Sequence, residues 1–152
     1  MKVHTKQIPD HGLHLEGAEN HQILDLHEDG VKPVSDVHYS LDVGLSDGGL
    51  FATGQVGVDL ELVCVSCLET FLYPLEINDF ACQIELTGSE SVDLTPLVRE
   101  DLLLALPPHP HCDWNGKKIC QSVSIRPKVA RSTEELPPKP DAWGALDHLK
   151  IN

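Results

Sequence analysis

The chain has 152 residues, 41% of them hydrophobic, which is enough for one globular domain to bury a core without disulfides. Eleven Lys+Arg against twenty-four Asp+Glu leave a net charge of −13. That balance argues against a generic nucleic-acid binder, because phosphate binding depends on Lys and Arg displacing counterions. Five cysteines, an odd number at modest density, do not read as a disulfide scaffold.

Met1 to Pro9 contains no apolar leader, and the longest apolar run, Leu102 to Leu106, falls far short of the ~20 residues a bilayer span needs. The expected setting is a reducing cytoplasm. Residues 1 to 33 are polar and histidine-rich, with short strands expected at Lys2 to Ile8 and Gly12 to Glu16. His4, His11, His14, His21 and His27 lack ligand-like pairing and read as surface residues.

From Val37 the pattern sharpens. Val37, Tyr39, Leu41, Val43 and Leu45 alternate with polar or small residues, the period of a half-buried strand. Ser46-Asp47-Gly48-Gly49 supplies glycines for a hairpin turn, and the return strand places Val56, Val58, Leu60, Leu62 and Cys64 on one face. After Cys67 a further strand carries Phe71, Tyr73, Leu75 and Ile77 at odd positions, then Phe80, Cys82, Ile84 and Leu86 at even ones. This change of phase requires an extra residue near Asn78-Asp79, absorbed by a β-bulge or by a break into two strands. Cys82 falls in phase with Phe80 and Ile84 and reads as a core residue rather than a ligand.

Residues 87 to 91 form a loop, and Asp93-Leu94-Thr95-Pro96 reads as a helix start. Asp93 or Thr95 can cap, and Pro96 suits the first turn. Leu94, Leu97, Val98, Leu102 and Ala105 form an apolar stripe with Arg99 and Glu100 outward, and Pro107-Pro108 stops the helix. At the C-terminus, Asp141 with Trp143, Leu146 and Leu149 predicts a short helix. The expected fold is α+β: an antiparallel, twisted sheet, open or barrel-like, with one helix packed on its face. Residues 1–120 form one domain with the cysteine cluster, and residues 121–152 form a basic linker and a C-terminal helix on or beside it.

Chemistry concentrates at Cys64-Val65-Ser66-Cys67, a Cys-x-x-Cys pair between two strands, and at Cys112 and Cys120 after the helix. Two such pairs complete a tetrahedral, closed zinc site. The seven-residue gap of the second pair is looser than usual, which leaves His109 and His111 as substitute ligands. Four thiolates on one zinc ion carry a net −2, which Lys117 and Lys118 are placed to offset. Between Trp114 and Thr133 there is no acid, while Lys117, Lys118, Arg126, Lys128 and Arg131 supply +5, so the rest of the chain carries −18. This is either a phosphate-contacting arm on an acidic body or a solvated linker. A dithiol redox site would normally open a helix, and a catalytic zinc would need an open position and a placed base. The strand setting offers neither, so no enzymatic activity is expected.

Several stretches together resemble a known family. They are Leu62 to Glu69, Phe71 to Leu75, the helix from Asp93 to Pro107, then Cys112, Cys120 and the terminal Asp141 to Leu146. The family is YceD, the large ribosomal RNA subunit accumulation proteins, and the likeness spans nearly the whole chain. The resemblance implies a bacterial cytoplasmic factor, or its organellar relative, that supports large-subunit ribosomal RNA accumulation without catalysing a reaction. The chain departs from the fuller pattern at Cys120, which is followed by Gln121-Ser122-Val123-Ser124, so that only one cysteine of a second Cys-x-x-Cys pair remains. Its expected partners are a basic ribosomal protein or assembly factor docked by the acidic body, or ribosomal RNA contacted by the basic arm. The alternatives are a zinc-stabilised interaction module unrelated to ribosomes and a Cys-x-x-Cys redox enzyme.

Overall fold

The computed structural model describes residues 1–46, 48–86, 88 and 90–124. The C-terminal helix expected at 141–149, and the basic residues Arg126, Lys128 and Arg131, lie outside the described residues.

The centre of the molecule is an antiparallel sheet built on two long strands, β5 (Gly49–Val63) and β6 (Thr70–Glu85), which follow β1 (Lys2–His4), β2 (Leu13–Glu19), β3 (Val31–Pro33) and β4 (Val37–Ser46) in the chain. The expected hairpin forms: β4 pairs with β5 from Ser46↔Gly49 to His38↔Gly57, and Gly48 takes the positive φ of 78° that the turn needs. Strand β5 then pairs along its other edge with β6 from Gly49↔Glu85 to Val63↔Thr70. Strand β2 extends the sheet beyond β4. Strand β3 continues the β4 edge of β5 further along, pairing Val31↔Leu62 to Pro33↔Leu60.

The sheet is open, which corrects the barrel-like expectation: the hydrogen-bonded path ends at β2 on one side and β6 on the other. Pro74 sits in β6 opposite Asp59. A proline, with no N–H for a second neighbour, belongs in a strand that has only one.

The phase change in β6 is a bulge. Gly54 faces Phe80 and Val56 faces Ile77, so Gln55 alone is matched by both Asn78 and Asp79, and β6 continues unbroken. The backbone closes tightly there. Gly54 has φ +150°, and a Cβ on it would lie 2.1 Å from the Ser40 carbonyl oxygen, so only glycine fits. The bulge keeps both halves of β6 pointed at one core: Leu75 before it and Phe80 after it are buried.

That core collects the even positions of β5 (Leu50, Ala52, Val56, Val58, Leu60, Leu62) with Val37, Leu41 and Val43 of β4. Its cover is a helix, α1 (Thr95–Leu104), entered through β7 (Ser91–Asp93), which pairs with β1 in a separate two-stranded ribbon. Leu94, Val98 and Leu102 are buried against the sheet, as the stripe predicts. Neither expected residue is the N-cap, which is Leu94 and has no side-chain capping bond, but Asp93 just before it accepts a hydrogen bond from the Thr95 amide at 3.0 Å. Its bonds to the Thr95 hydroxyl and amide hold its carboxyl below the usual range against the opposing pull of burial. Ala105 departs from the expected stripe: it is the exposed residue that ends the helix. Arg99 is not simply outward, since its Nε donates to the Leu24 carbonyl at 3.1 Å and ties the helix to the 3-10 turn His21–Leu24.

Candidate metal centre

The two elements that carry the first cysteine pair are dictated by the sheet. Strand β5 ends at Val63 and β6 begins at Thr70, so Cys64 to Glu69 must reverse the chain, and they do so as a knuckle. Cys64 donates its amide to the Glu69 carbonyl at 2.9 Å, and Leu68 donates back to the Cys64 carbonyl at 2.9 Å. Closing that ring puts Leu68, a non-glycine residue, at φ +61°, a left-handed conformation that costs about 1 kcal/mol or more and persists only where its surroundings impose it.

The second pair arrives on the loop after α1. That loop is joined to the knuckle by the Val65 amide, which donates to the Pro110 carbonyl at 2.9 Å. It then turns through Asn115-Gly116, where Gly116 has φ +69° and Asn115 Oδ1 accepts from the Lys117 amide at 3.0 Å. A four-residue helix, α2 (Gln121–Ser124), follows Cys120.

Four sulfurs converge where the knuckle meets this loop. Cys64 Sγ lies 3.8 Å from Cys120 Sγ and Cys67 Sγ lies 3.7 Å from Cys112 Sγ, with all four within 4.8 Å of one another. Four thiolates at ~2.3 Å from a tetrahedral ion are about 3.8 Å apart, so the donor set has the dimensions of one closed metal site. It is the one such group of His, Cys, Asp and Glu side chains among the described residues. Cys82 is not part of it; it sits half-buried in β6 beside the core, and burial raises its thiol pKa.

Electrostatics set Cys64 and Cys112 apart. At Cys64 burial works to raise the pKa but is outweighed by backbone groups of Cys112, Cys67 and Ser66 hydrogen-bonded to the sulfur, which bring it down to about 6 from an ordinary 9.0. Cys112 is pushed up to about 12 by burial and by its sulfur neighbours. Four thiols this close cannot all ionise without a cation among them, and a divalent metal is the charge that would let them.

Packing gives the same reading. From Leu103 to Ser122 the buried residues are Cys112 and Cys120 alone, in a small cluster with Cys64, Cys67 and Phe71 that is separate from the main core. The sixteen-residue loop between α1 and α2 buries two thiols and no apolar side chain to the same degree.

The histidine alternatives fall away. His111 is exposed, and its Nδ1 is within 3.3 Å of the Ser66 hydroxyl; His109 is also exposed, and neither belongs to the cluster. Of the N-terminal histidines, His14 and His27 lie on the surface beside carboxylates, at 2.8 Å from Asp42 and 2.8 Å from Asp25. Lys118 is where the charge argument places it, but it is held by Glu69, Nζ to Oε2 at 2.9 Å. Glu69 therefore serves as an ion-pair partner on the knuckle, a role the sequence did not reveal because the two residues lie 49 apart. Lys117 is exposed.

No helix among the described residues is long and apolar enough to cross a membrane. Comparison with protein-family models, with curated proteins and with solved structures returned no match for this chain.

Proposed function

We propose that this chain is a non-catalytic cytoplasmic factor supporting large-subunit ribosomal RNA accumulation and ribosome assembly, with one structural zinc ion held by Cys64, Cys67, Cys112 and Cys120. The observation that carries the metal is the mutual approach of four sulfurs within 4.8 Å. A four-thiolate tetrahedron suits zinc and is closed, leaving no position for a substrate or an activated water. The ribosomal part rests on the sequence motifs from Leu62 to Cys120. Zinc content per chain, measured on full-length protein purified without added metal, tests the first part. One zinc per chain is expected, and none in a Cys64→Ser, Cys67→Ser double variant. Iron in its place would give a coloured protein and redirect the reading to electron transfer.

The partner we favour is a basic ribosomal protein or assembly factor docked on the acidic body. Of the two described residues of the basic arm, Lys118 is already neutralised by Glu69, which leaves less free charge for phosphate. Reversing Lys117, Lys118, Arg126, Lys128 and Arg131 to glutamate is expected to leave capture of a basic ribosomal protein unchanged. Loss of binding, with a steep salt dependence in the parent, would move the contact to RNA.

A further inference from the structure

The four sulfurs are not equivalent neighbours, and their pairing has a consequence for oxidation. The two close sulfur–sulfur contacts both cross between loops: Cys64 with Cys120 at 3.8 Å and Cys67 with Cys112 at 3.7 Å. Cys67 is the partly exposed member, while Cys64, Cys112 and Cys120 are buried. A small oxidant therefore meets Cys67 first, and the sulfur waiting beside it belongs to the other loop.

We propose that the cluster is a redox-responsive clip: a peroxide converts it to two cross-loop disulfides, Cys67–Cys112 and Cys64–Cys120, and releases the zinc ion while the two loops stay joined. The starting state rests on the zinc reading above. In the first step the Cys67 thiolate attacks hydrogen peroxide. The S–O bond forms, the O–O bond breaks and hydroxide leaves, taking a proton to become water. The Cys112 thiolate then attacks the Cys67 sulfur, forming the S–S bond and expelling the second hydroxide, again lost as water. Cys64 and Cys120 repeat this with a second peroxide. Four thiolates lose four electrons, two peroxides gain them, four protons are taken up, and four waters and one Zn²⁺ leave.

The pairing decides what survives. A disulfide within Cys64-Val65-Ser66-Cys67 would tie the knuckle to itself and free the loop after the helix. The cross-loop pairs join residues 45 and 56 apart in sequence and so preserve the tie that the metal makes. The buried residues of that loop are the two thiols, and its other ties to the sheet and knuckle are at the surface, the Val65–Pro110 hydrogen bond, the Lys118–Glu69 ion pair and the edge contact of Trp114 with Tyr73.

The test treats full-length, zinc-loaded protein with stoichiometric hydrogen peroxide. Released zinc is followed with a chromogenic chelator, and disulfides are mapped by non-reducing proteolysis and mass spectrometry. The expected result is one zinc released for every two peroxides, with cross-linked peptides joining Cys67 to Cys112 and Cys64 to Cys120, reversed by dithiothreitol. A Cys82→Ser control should give the same map. A Cys64–Cys67 disulfide, a link to Cys82, or oxidation to sulfinic acid without cross-links would overturn the proposal. The same map on reduced, metal-free chain separates the two readings: protein that never binds zinc yet forms the cross-loop pairs defeats the zinc reading and keeps the pairing, while zinc protein that gives the wrong pairs does the opposite.

Discussion

The sheet with its helix and the cysteine clip are held together by different physics. In the first, strands of up to sixteen residues bury Leu, Val and Phe side chains against α1, so stability is distributed over many contacts, each removable at a finite cost. In the second, a loop with two buried thiols meets a knuckle that contains a strained Leu68, and four sulfur atoms are the buried part of a junction otherwise made by the Val65–Pro110 hydrogen bond and the Lys118–Glu69 ion pair. A small domain spreads risk where it has apolar surface and concentrates it where it does not; ligation substitutes for burial in a segment whose composition cannot form a core.

The largest effect expected from breaking either side is in the sheet. Phe80 is fully buried immediately after the bulge, and Phe80→Ala should cost about 3–5 kcal/mol, seen as a large drop in denaturation midpoint by chemical unfolding. Next comes removal of the metal. With free zinc a hundredfold above its Kd, binding stabilises by about 2.7 kcal/mol, so chelation should lower Tm. Amide exchange should then accelerate across residues 105–122 and the knuckle, while β4 and β5 keep their protection. Uniform exchange through both regions would show that the two are one cooperative unit.

The smallest effect separates the two states of the clip by pH. In metal-free protein the lowered Cys64 pKa contributes stability as pH rises through about 6 toward the ordinary 9.0, and loses it as pH falls through about 6. The raised Cys112 and Cys67 act in the opposite sense, contributing below 9.0 and losing that contribution as pH climbs above it. Tm in the presence of chelator should therefore rise from about 6, peak near 9 and fall above it, and zinc-loaded protein should not decline above 9. Equal alkaline profiles with and without zinc would remove the thiols from the account.

Much of this was legible in the chain, and the reasons are local. Alternation marks β4 and β5 because one face is buried, and the odd-to-even switch between Ile77 and Phe80 marks the bulge because a two-residue period has no other way to keep one face inward. Asp93 and Pro96 mark the start of α1. Three-residue strands such as β1, β3 and β7 carry too little sequence to show a period, and they exist only because a distant strand offers hydrogen bonds. The Ala105 error has the same origin: helical periodicity extends past the point at which the chain stops being covered.

By itself, then, the sequence determined the residue types that can bury and the residue types that can ligate: the alternating runs, the helix begun at Pro96, and four cysteines in two groups. Tertiary structure alone decided that β3 follows β4 along one edge of β5, that the sheet stays open, that Glu69 takes Lys118, and that Cys64 faces Cys120 while Cys67 faces Cys112. Those are choices between partners far apart in the chain, and spacing along a sequence carries no distance once the chain has folded back on itself.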